Sequence, residues 1–240
     1  MAEAATMKHE HDGTLRISST VGENTKIEHN GDIIIEGDVA KNTEITSFNG
    51  KVIIEGQTGS DVTVTAKGDI SIVKGAGGNT KIKSQEGNVD LGYAEKKCVV
   101  EAPQGSVEVK TYVNVGSEIT AKNDIKIGVK LASNTKLTSE EGSVDIGEDV
   151  NEDVFINAPQ GSVKVEGTVH ARSEITTKSN IHVGGNLSND VKLTSKEGSV
   201  TVKGRIAKGC EIIQSGQPSQ TARLAANQNS EQQAQGTSRT

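Results

Sequence analysis

The chain has 240 residues, a formal net charge of −6 and only 2% aromatic residues, with no tryptophan. Acidic and basic residues are interspersed, and the two tyrosines and two phenylalanines are not expected to form a surface on which bases stack, which argues against a nucleic-acid partner. So few aromatic side chains are also unusual for the core of a globular enzyme. They favour a thin interior filled by small branched side chains.

Residues 1–12 contain no apolar run, so they predict a flexible polar arm and not a Sec-type signal peptide. Within this arm, His9, Glu10, His11 and Asp12 bring two imidazoles and two carboxylates close together, which is a weak pattern for a transition metal. Because the arm offers no fixed scaffold, a solvated polar segment is the favoured interpretation. We predict neither a metal site nor a cofactor.

From Gly13 to Gly216 the sequence repeats itself with a period of 18 or 19 residues. Eleven repeats begin at Gly13, Gly31, Gly50, Gly68, Gly87, Gly105, Asn123, Gly142, Gly161, Ser179 and Gly198. A unit this short cannot bury an apolar face alone and must stack on its neighbours. The repeat therefore predicts the architecture directly.

Each repeat carries aliphatic residues two and four positions after its start, as at Val144 and Ile146. Mostly polar residues separate them, and this alternation predicts a half-buried strand. A second aliphatic position follows fourteen residues after the start, and small residues come two positions later, except for His29 and Gln214 in the outermost repeats. A looser apolar position between the two strands predicts a third inward face.

A corner is predicted eleven residues after the start, where nine repeats have Asn, Asp or Gly. These residues tolerate a left-handed backbone conformation and suit a turn that recurs in every repeat. Examples are Asn24, Asn42, Asp61, Asn79, Asn134 and Asp153.

The predicted fold is all-β: a single-stranded parallel β-helix (β-solenoid) of about eleven triangular coils, roughly 50 Å long at the inter-strand spacing of ~4.8 Å. Right-handed winding is favoured because parallel crossovers are usually right-handed; a left-handed solenoid of three hexapeptides also uses eighteen residues per coil. The predicted organisation is a flexible arm over 1–12, the β-helix over 13–216 and a disordered polar tail over 217–240. No apolar run is long enough for a transmembrane segment.

Cys98 and Cys210 fall in a predicted inward column that Thr, Ser and Val otherwise occupy. They are six coils apart, roughly 29 Å at the strand spacing, whereas a disulfide requires Cα atoms within ~7 Å. Buried free thiols are therefore expected. Such thiols suit a reducing compartment.

Polysaccharide-active β-helix lyases and hydrolases are the relevant alternative, because they cluster Asp, Lys or Arg on one face. Asp32, Asp69 and Asp124 share a column here but lie two or more coils apart, about 10 Å or more, with no acid in the adjacent coils of that column. His170 and His182 occupy outer faces of different coils. Solvated surface is the favoured interpretation, and no catalytic residue is predicted.

The column thirteen residues after the start alternates in charge at Lys26/Glu44, Glu118/Lys136 and Glu174/Lys192/Glu211. Unlike charges on neighbouring coils favour stacking in register. The predicted interaction surface consists of apolar residues on outward faces or at the last coil: Ile34, Ile53, Phe155, Ile212 and Ile213.

The segments Gly31-Asp-Ile-Ile-Ile-Glu-Gly-Asp-Val and Gly50-Lys-Val-Ile-Ile-Glu-Gly resemble the coils of bactofilins, which are polymer-forming bacterial cytoskeletal proteins. They are also similar to the β-helix of FapA-like flagellar assembly proteins. The Gly-Ser-Val-x-Val repeats are similar to those of filamentous haemagglutinin-like adhesins. The resemblance to bactofilins implies a cytoplasmic scaffold, although eleven coils and a Gln-rich tail exceed the usual bactofilin core.

Three functional hypotheses follow. The leading one is a non-enzymatic cytoplasmic scaffold that acts through its rod surface and ends, with itself or another protein as partner. The alternatives are an adhesin-like or effector rod exported by a non-Sec route, and a polysaccharide-active enzyme. Because no apolar cap precedes Gly13 and only a polar tail follows Ile213, the scaffold hypothesis predicts end-to-end association through exposed strand edges.

Overall fold

The computed structural model describes residues 7–9 and 13–215, and every regular element in this part of the chain is a β-strand. The strands stack into two long sheets, so the predicted all-β solenoid of about eleven coils is confirmed. We number the coils 1 to 11 from Gly13 onward. No helix among the described residues is long and apolar enough to span a membrane.

The first sheet is built from the strands that open each coil, which pair in parallel between successive coils. One further strand, β1 (Met7–His9), lies at its N-terminal edge. The remaining strands are β2 (Leu15–Ile17), β4 (Ile33–Ile35), β6 (Val52–Ile54), β8 (Ile70–Ile72), β10 (Val89–Leu91), β12 (Val107–Val109), β14 (Ile125–Ile127), β16 (Val144–Ile146), β18 (Val163–Val165), β20 (Ile181–Val183) and β22 (Val200–Val202).

The second sheet contains the later strand of each coil and is parallel throughout. Its strands are β3 (Lys26–His29), β5 (Glu44–Ser47), β7 (Thr63–Ala66), β9 (Lys81–Ser84), β11 (Val99–Ala102), β13 (Glu118–Ala121), β15 (Lys136–Ser139), β17 (Phe155–Ala158), β19 (Glu174–Thr177), β21 (Lys192–Ser195) and β23 (Glu211–Gln214).

A third face connects the two sheets through single bridges and not through a continuous strand. Parallel bridges run from coil to coil between Val21 and Ile206. Their members include the looser apolar position that the sequence indicated, such as Val113, Leu131 and Val150. Three inward faces per coil give the triangular cross-section that was predicted.

The core is one continuous cluster of mainly aliphatic side chains, contributed by all three faces of the triangle. Val144 is 1% exposed and pairs in register with Ile125 and Val163 of the adjacent coils. In the last coil, Val200 and Val202 are only partly buried, because no further coil covers them among the described residues.

The predicted corner is confirmed in every coil. The corner residue adopts positive φ in all eleven coils, between 56° and 60° for the non-glycine residues. Asn and Asp predominate there because their short polar side chains tolerate this conformation. Lys97 and Arg172 adopt it in the two repeats where Asn, Asp and Gly do not mark the corner.

Strand β1 was not anticipated by the sequence analysis, which treated 1–12 as a flexible arm. Met7, Lys8 and His9 pair antiparallel with Ile17, Arg16 and Leu15. Residues 7–9 therefore pair with coil 1 at the edge of the first sheet. The remainder of the arm and the predicted tail over 217–240 lie outside the described residues.

We expect Val144→Asp to lower the free energy of unfolding by several kcal/mol, because the carboxylate would be buried without a partner. Because coil 8 would be weakened between two intact blocks of coils, the thermal transition should also split into two. Circular dichroism melting provides the measurement. The control is Asp145→Ser, which alters the exposed neighbour in the same strand; equal melting curves for the two variants would contradict the register.

Candidate interaction surface

The five predicted surface residues do not form one patch. Ile34 and Ile53 are register neighbours on the first sheet, and both are half-buried. Phe155 and Ile213 are 37% and 38% exposed on the second sheet, in coils 8 and 11. The prediction that Ile212 belongs to the interaction surface is wrong. Its side chain is 3% exposed and belongs to the core cluster, because it points inward as the equivalent residues do in the other coils.

Three exposed apolar residues were missed by the sequence analysis. Phe48 is 52%, Val73 48% and Val115 41% exposed. All three lie just outside the strands, in turns and bends where the alternation that identifies faces no longer applies. Val73 follows β8, whose Ser71 is the register neighbour of Ile53.

The aspartates of the candidate acidic column form hydrogen bonds between successive coils. Asp32, Asp69 and Asp124 each accept a hydrogen bond at Oδ1 from a main-chain N–H of the next coil, at 3.0, 2.7 and 2.7 Å. Asn88 and Asn180 accept through their amide oxygens in the same way, at 2.8 and 2.9 Å. The column therefore links coils at a corner, where the sequence analysis expected solvated side chains.

A second corner uses the same device. Asp38, Asp149 and Asn186 each accept a main-chain N–H of the following coil through Oδ1, at distances of 3.0, 2.7 and 2.8 Å. Short polar side chains at both corners thus replace strand hydrogen bonds where the chain turns. These carboxylates are occupied in holding the coils together.

We expect Asp124→Ala to lower the free energy of unfolding by about 0.5–1.5 kcal/mol, the usual net value of one hydrogen bond, because it removes the acceptor of the Ser143 N–H. Asp124→Asn is the matched control, because Asn88 and Asn180 make this bond with an amide oxygen. Urea unfolding compares the variants. Equal losses for Ala and Asn would show that the carboxylate charge, and not the bond, is required.

The predicted charge column is in register, but its ion pairs differ from the simple expectation. Glu118 and Lys136 approach to 2.6 Å, and Lys192 lies 3.9 Å from both Glu174 and Glu211. Lys26, the register neighbour of Glu44, instead pairs with Glu28 of its own strand at 2.8 Å, which raises the pKa of Lys26. All of these pairs are exposed, so each adds little stability.

The atypical residues of the two outermost repeats act as caps. His29 Nε2 lies 2.6 Å from the carbonyl oxygen of Gly13. One coil later, Ser47 Oγ donates a hydrogen bond to the equivalent carbonyl oxygen, that of Gly31. At the other end, Gln214 Oε1 accepts the N–H of Val200 at 3.0 Å. Inner coils satisfy the equivalent N–H with a carbonyl of the next coil.

Cys98 and Cys210 are free and buried, as predicted. Their thiols donate to the carbonyl oxygens of Gly77 and Ser188, in preceding coils, at 3.1 and 3.0 Å. Burial raises the pKa of the Cys98 thiol to about 11, so it stays protonated at neutral pH. In the same column, the hydroxyls of Thr43, Thr80 and Ser117 donate to carbonyls of preceding coils in the same manner.

The two tyrosines form a pair that the repeat pattern did not indicate. Tyr93 and Tyr112, on adjacent coils, stack with ring centroids 5.5 Å apart and planes 9° apart. Tyr93 donates its hydroxyl to Gln57 at 2.7 Å, and Tyr112 donates to Glu95 at 2.8 Å. The pair is an ordered aromatic feature on an otherwise aliphatic and polar rod.

The hydrogen bond to Glu95, followed by desolvation, raises the pKa of Tyr112 to about 12. Since the folded-state pKa lies above the ordinary value of 10.0, the stabilising contribution is complete below that value and is lost as the pH rises through about 12. We expect Glu95→Gln to lower the pKa of Tyr112. Ultraviolet absorbance titration of the phenols measures it, with Glu108→Gln as the control; an unchanged Tyr112 titration in Glu95→Gln would contradict the assigned cause.

The candidate metal pattern at His9, Glu10, His11 and Asp12 rests on side chains outside the described residues. Within residues 13–215, no group of three or more His, Cys, Asp or Glu side chains has an arrangement that could hold a metal ion. His170 and His182 are half-buried in coils 9 and 10. His182 has Lys164 and Thr201 as register neighbours.

No protein-family model, curated protein or solved structure matches this chain. The resemblance to bactofilins and FapA-like proteins therefore stays a prediction. What the geometry itself supplies is a rod with hydrogen-bonded corners, scattered exposed apolar residues, a side-chain cap in each outermost repeat and one aromatic pair.

Proposed function

We propose that this protein is a non-enzymatic structural rod, a scaffold that binds other proteins or further copies of itself through its surface and its C-terminal end. The observation that carries the proposal is that polar side chains at the corners form hydrogen bonds between successive coils. The aspartates considered as catalytic candidates accept main-chain N–H groups of the next coil. A carboxylate held in this way supports the rod and is poorly placed to exchange protons with a substrate.

The two ends differ, which makes the self-association hypothesis more specific. Strand β1 lies at the N-terminal edge of the first sheet, and Gln214 caps Val200 at the C-terminal edge. The second sheet ends in β3 at the N-terminal end, whose exposed residues Lys26 and Glu28 are charged, and in β23 at the C-terminal end, which carries the exposed side chain of Ile213. Association is therefore proposed to occur through β23.

Contact between two β23 edges is isologous, because each copy presents the same strand. The two strands would run antiparallel across a two-fold axis, and the second sheet would continue from one copy into the other. Such an interface closes on itself and gives a dimer. Filaments would require a second contact at the N-terminal end, where β1 covers the first sheet and β3 is the edge strand of the second.

The resemblance to bactofilins supports a cytoplasmic scaffold of bacterial type as the particular form of this function. The buried free thiols of Cys98 and Cys210 also suit a reducing compartment.

We expect the full chain to form dimers that dissociate on dilution and Ile213→Lys to stay monomeric, because the two introduced ammonium groups would approach each other across the two-fold axis. Multi-angle light scattering over a wide concentration range measures the mass, and negative-stain microscopy shows whether the rods join at one end. Ile212→Lys is unsuitable as a test because Ile212 is buried.

Ile213→Thr is the matched control, since Thr176 and Thr194 occupy the same column in coils 9 and 10. This variant keeps a β-branched side chain at the edge and should still dimerise. A monomeric full chain at every concentration would remove self-association and leave the binding of another protein as the scaffold function. Dimers of Ile213→Lys as stable as those of the full chain would place the contact elsewhere.

A further inference from the structure

The aromatic pair departs from the column pattern of the rod. Both tyrosines of the chain are in it, and both are half-buried on the bridge face. The residue before the bridge position is polar or glycine in most coils, but it is Tyr93 in coil 5 and Tyr112 in coil 6. Stacking of two rings in register creates an amphipathic surface at the middle of the rod.

The pair is held in a fixed orientation. The ring of Tyr93 lies over Gly75, where an added Cβ would come within 2.5 Å of the ring and where φ is +148°. Glycine at this position therefore lets the ring pack against the main chain. One Glu95 oxygen accepts from Tyr112 at 2.8 Å, and the other accepts from Asn114 Nδ2 at 2.9 Å.

A shallow open depression lies on the C-terminal side of Tyr112. Tyr112, Val113, Asn114, Lys130, Ala132 and Asn151 line it. These residues belong to coils 6, 7 and 8, whereas Tyr93 belongs to coil 5 and packs on the other side of Tyr112. The depression thus combines one aromatic ring, small apolar groups, two amides and one ammonium group.

We propose that this depression binds a neutral glycan, with one sugar ring packed against Tyr112 and its hydroxyls bonded to Asn151 and Lys130. The apolar C–H face of a pyranose matches an aromatic ring, while amides and ammonium groups suit hydroxyls as hydrogen-bond partners. Because Glu95 already orients Tyr112 and Asn114, little freedom of the protein is lost on binding.

The lining favours a glycan over the other ligands that bind aromatic surfaces. A quaternary ammonium ligand needs several ring faces and no nearby positive charge, but Tyr112 is the one ring that lines this depression and Lys130 lies beside it. A nucleic-acid strand needs a row of cations along its phosphates. Here Lys130 is the one cation in the lining, and the chain has a net charge of −6.

Glycan binding goes beyond the scaffold function and does not depend on it, since the depression lies several coils away from β23. The two proposals also have separate measurements, because Ile213→Lys leaves the depression intact.

The test uses the full chain with cellohexaose, chitohexaose and maltohexaose. Since the chain has no tryptophan and both tyrosines form the pair, a change in tyrosine emission on titration reports this site alone. We expect at least one of the three oligosaccharides to change this emission saturably and to give a matching calorimetric affinity. No saturable change and no heat with all three would overturn the proposal.

Variants assign the site. Tyr112→Ala should weaken binding about tenfold or more, since the stacking surface is lost, and Tyr112→Phe should bind within about threefold of the full chain because the ring remains. Lys130→Ala tests the polar contact, and Phe155→Ala, an exposed aromatic on the second sheet, is the control that should leave affinity unchanged. Circular dichroism confirms that each variant is folded.

Full affinity in a folded Tyr112→Ala would overturn the proposal. So would tighter binding of choline or of an oligothymidylate than of any of the oligosaccharides, because a cation site or a nucleic-acid site would then be the better description.

Discussion

The rod depends on one constraint: every coil must hydrogen-bond to the coil before it in the same register. Main-chain bonds such as Val144 N to Ser162 O and Gly147 N to Ile127 O continue this register through strands and corners alike. A coil has no independent core, so its apolar residues are buried only while its neighbours are in place. Equivalent residues of successive coils thus become spatial neighbours, and the chemistry of a column decides whether the stack holds.

This constraint explains why short polar residues occupy the corners. At a corner the chain turns out of the sheet, and an N–H that a strand would satisfy needs another acceptor. Asp, Asn and Ser side chains supply it from the coil before, as at Asp124 and Asn180. The same constraint fails at the ends, where one neighbouring coil is missing. There His29 and Gln214 replace the small residues of the inner coils and bond to main-chain groups of the outermost coils.

Features that repeat were predictable from the sequence, because eleven copies of one pattern average out local ambiguity. The buried strand positions, the positive-φ corners and the neighbours in the charge column all followed from alignment of the repeats. Features that occur once were not. Strand β1 has no counterpart in any repeat and pairs antiparallel. Tyr93 lies six residues after its repeat start and Tyr112 seven, because coil 5 is one residue shorter before Tyr93, so alignment on the repeat starts did not place the two rings together.

The mistaken predictions share a physical origin. Ile212 lies in the inward aliphatic column, but its position in the last coil suggested that it would be exposed. Its side chain is buried, and its register neighbour in the preceding coil is Leu193. The carboxylates at the corners were interpreted as solvated because side-chain type alone does not indicate whether an aspartate extends into water or bends back to a neighbouring N–H. Both outcomes depend on the adjacent coil, which a single repeat cannot reveal.

Departures from the column pattern are therefore the places where a function of this rod is to be sought. A residue of the same type as its neighbours in the column is explained by the stacking of coils, and its replacement is expected to lower the stability of the rod. Tyr93 and Tyr112 are not explained in this way, since the neighbouring coils hold Gly75 and Lys130 at the same position without loss of register. The rings need a glycine beneath them and a glutamate to orient them. Such an arrangement is more than the stacking of coils requires, and a bound ligand would account for it.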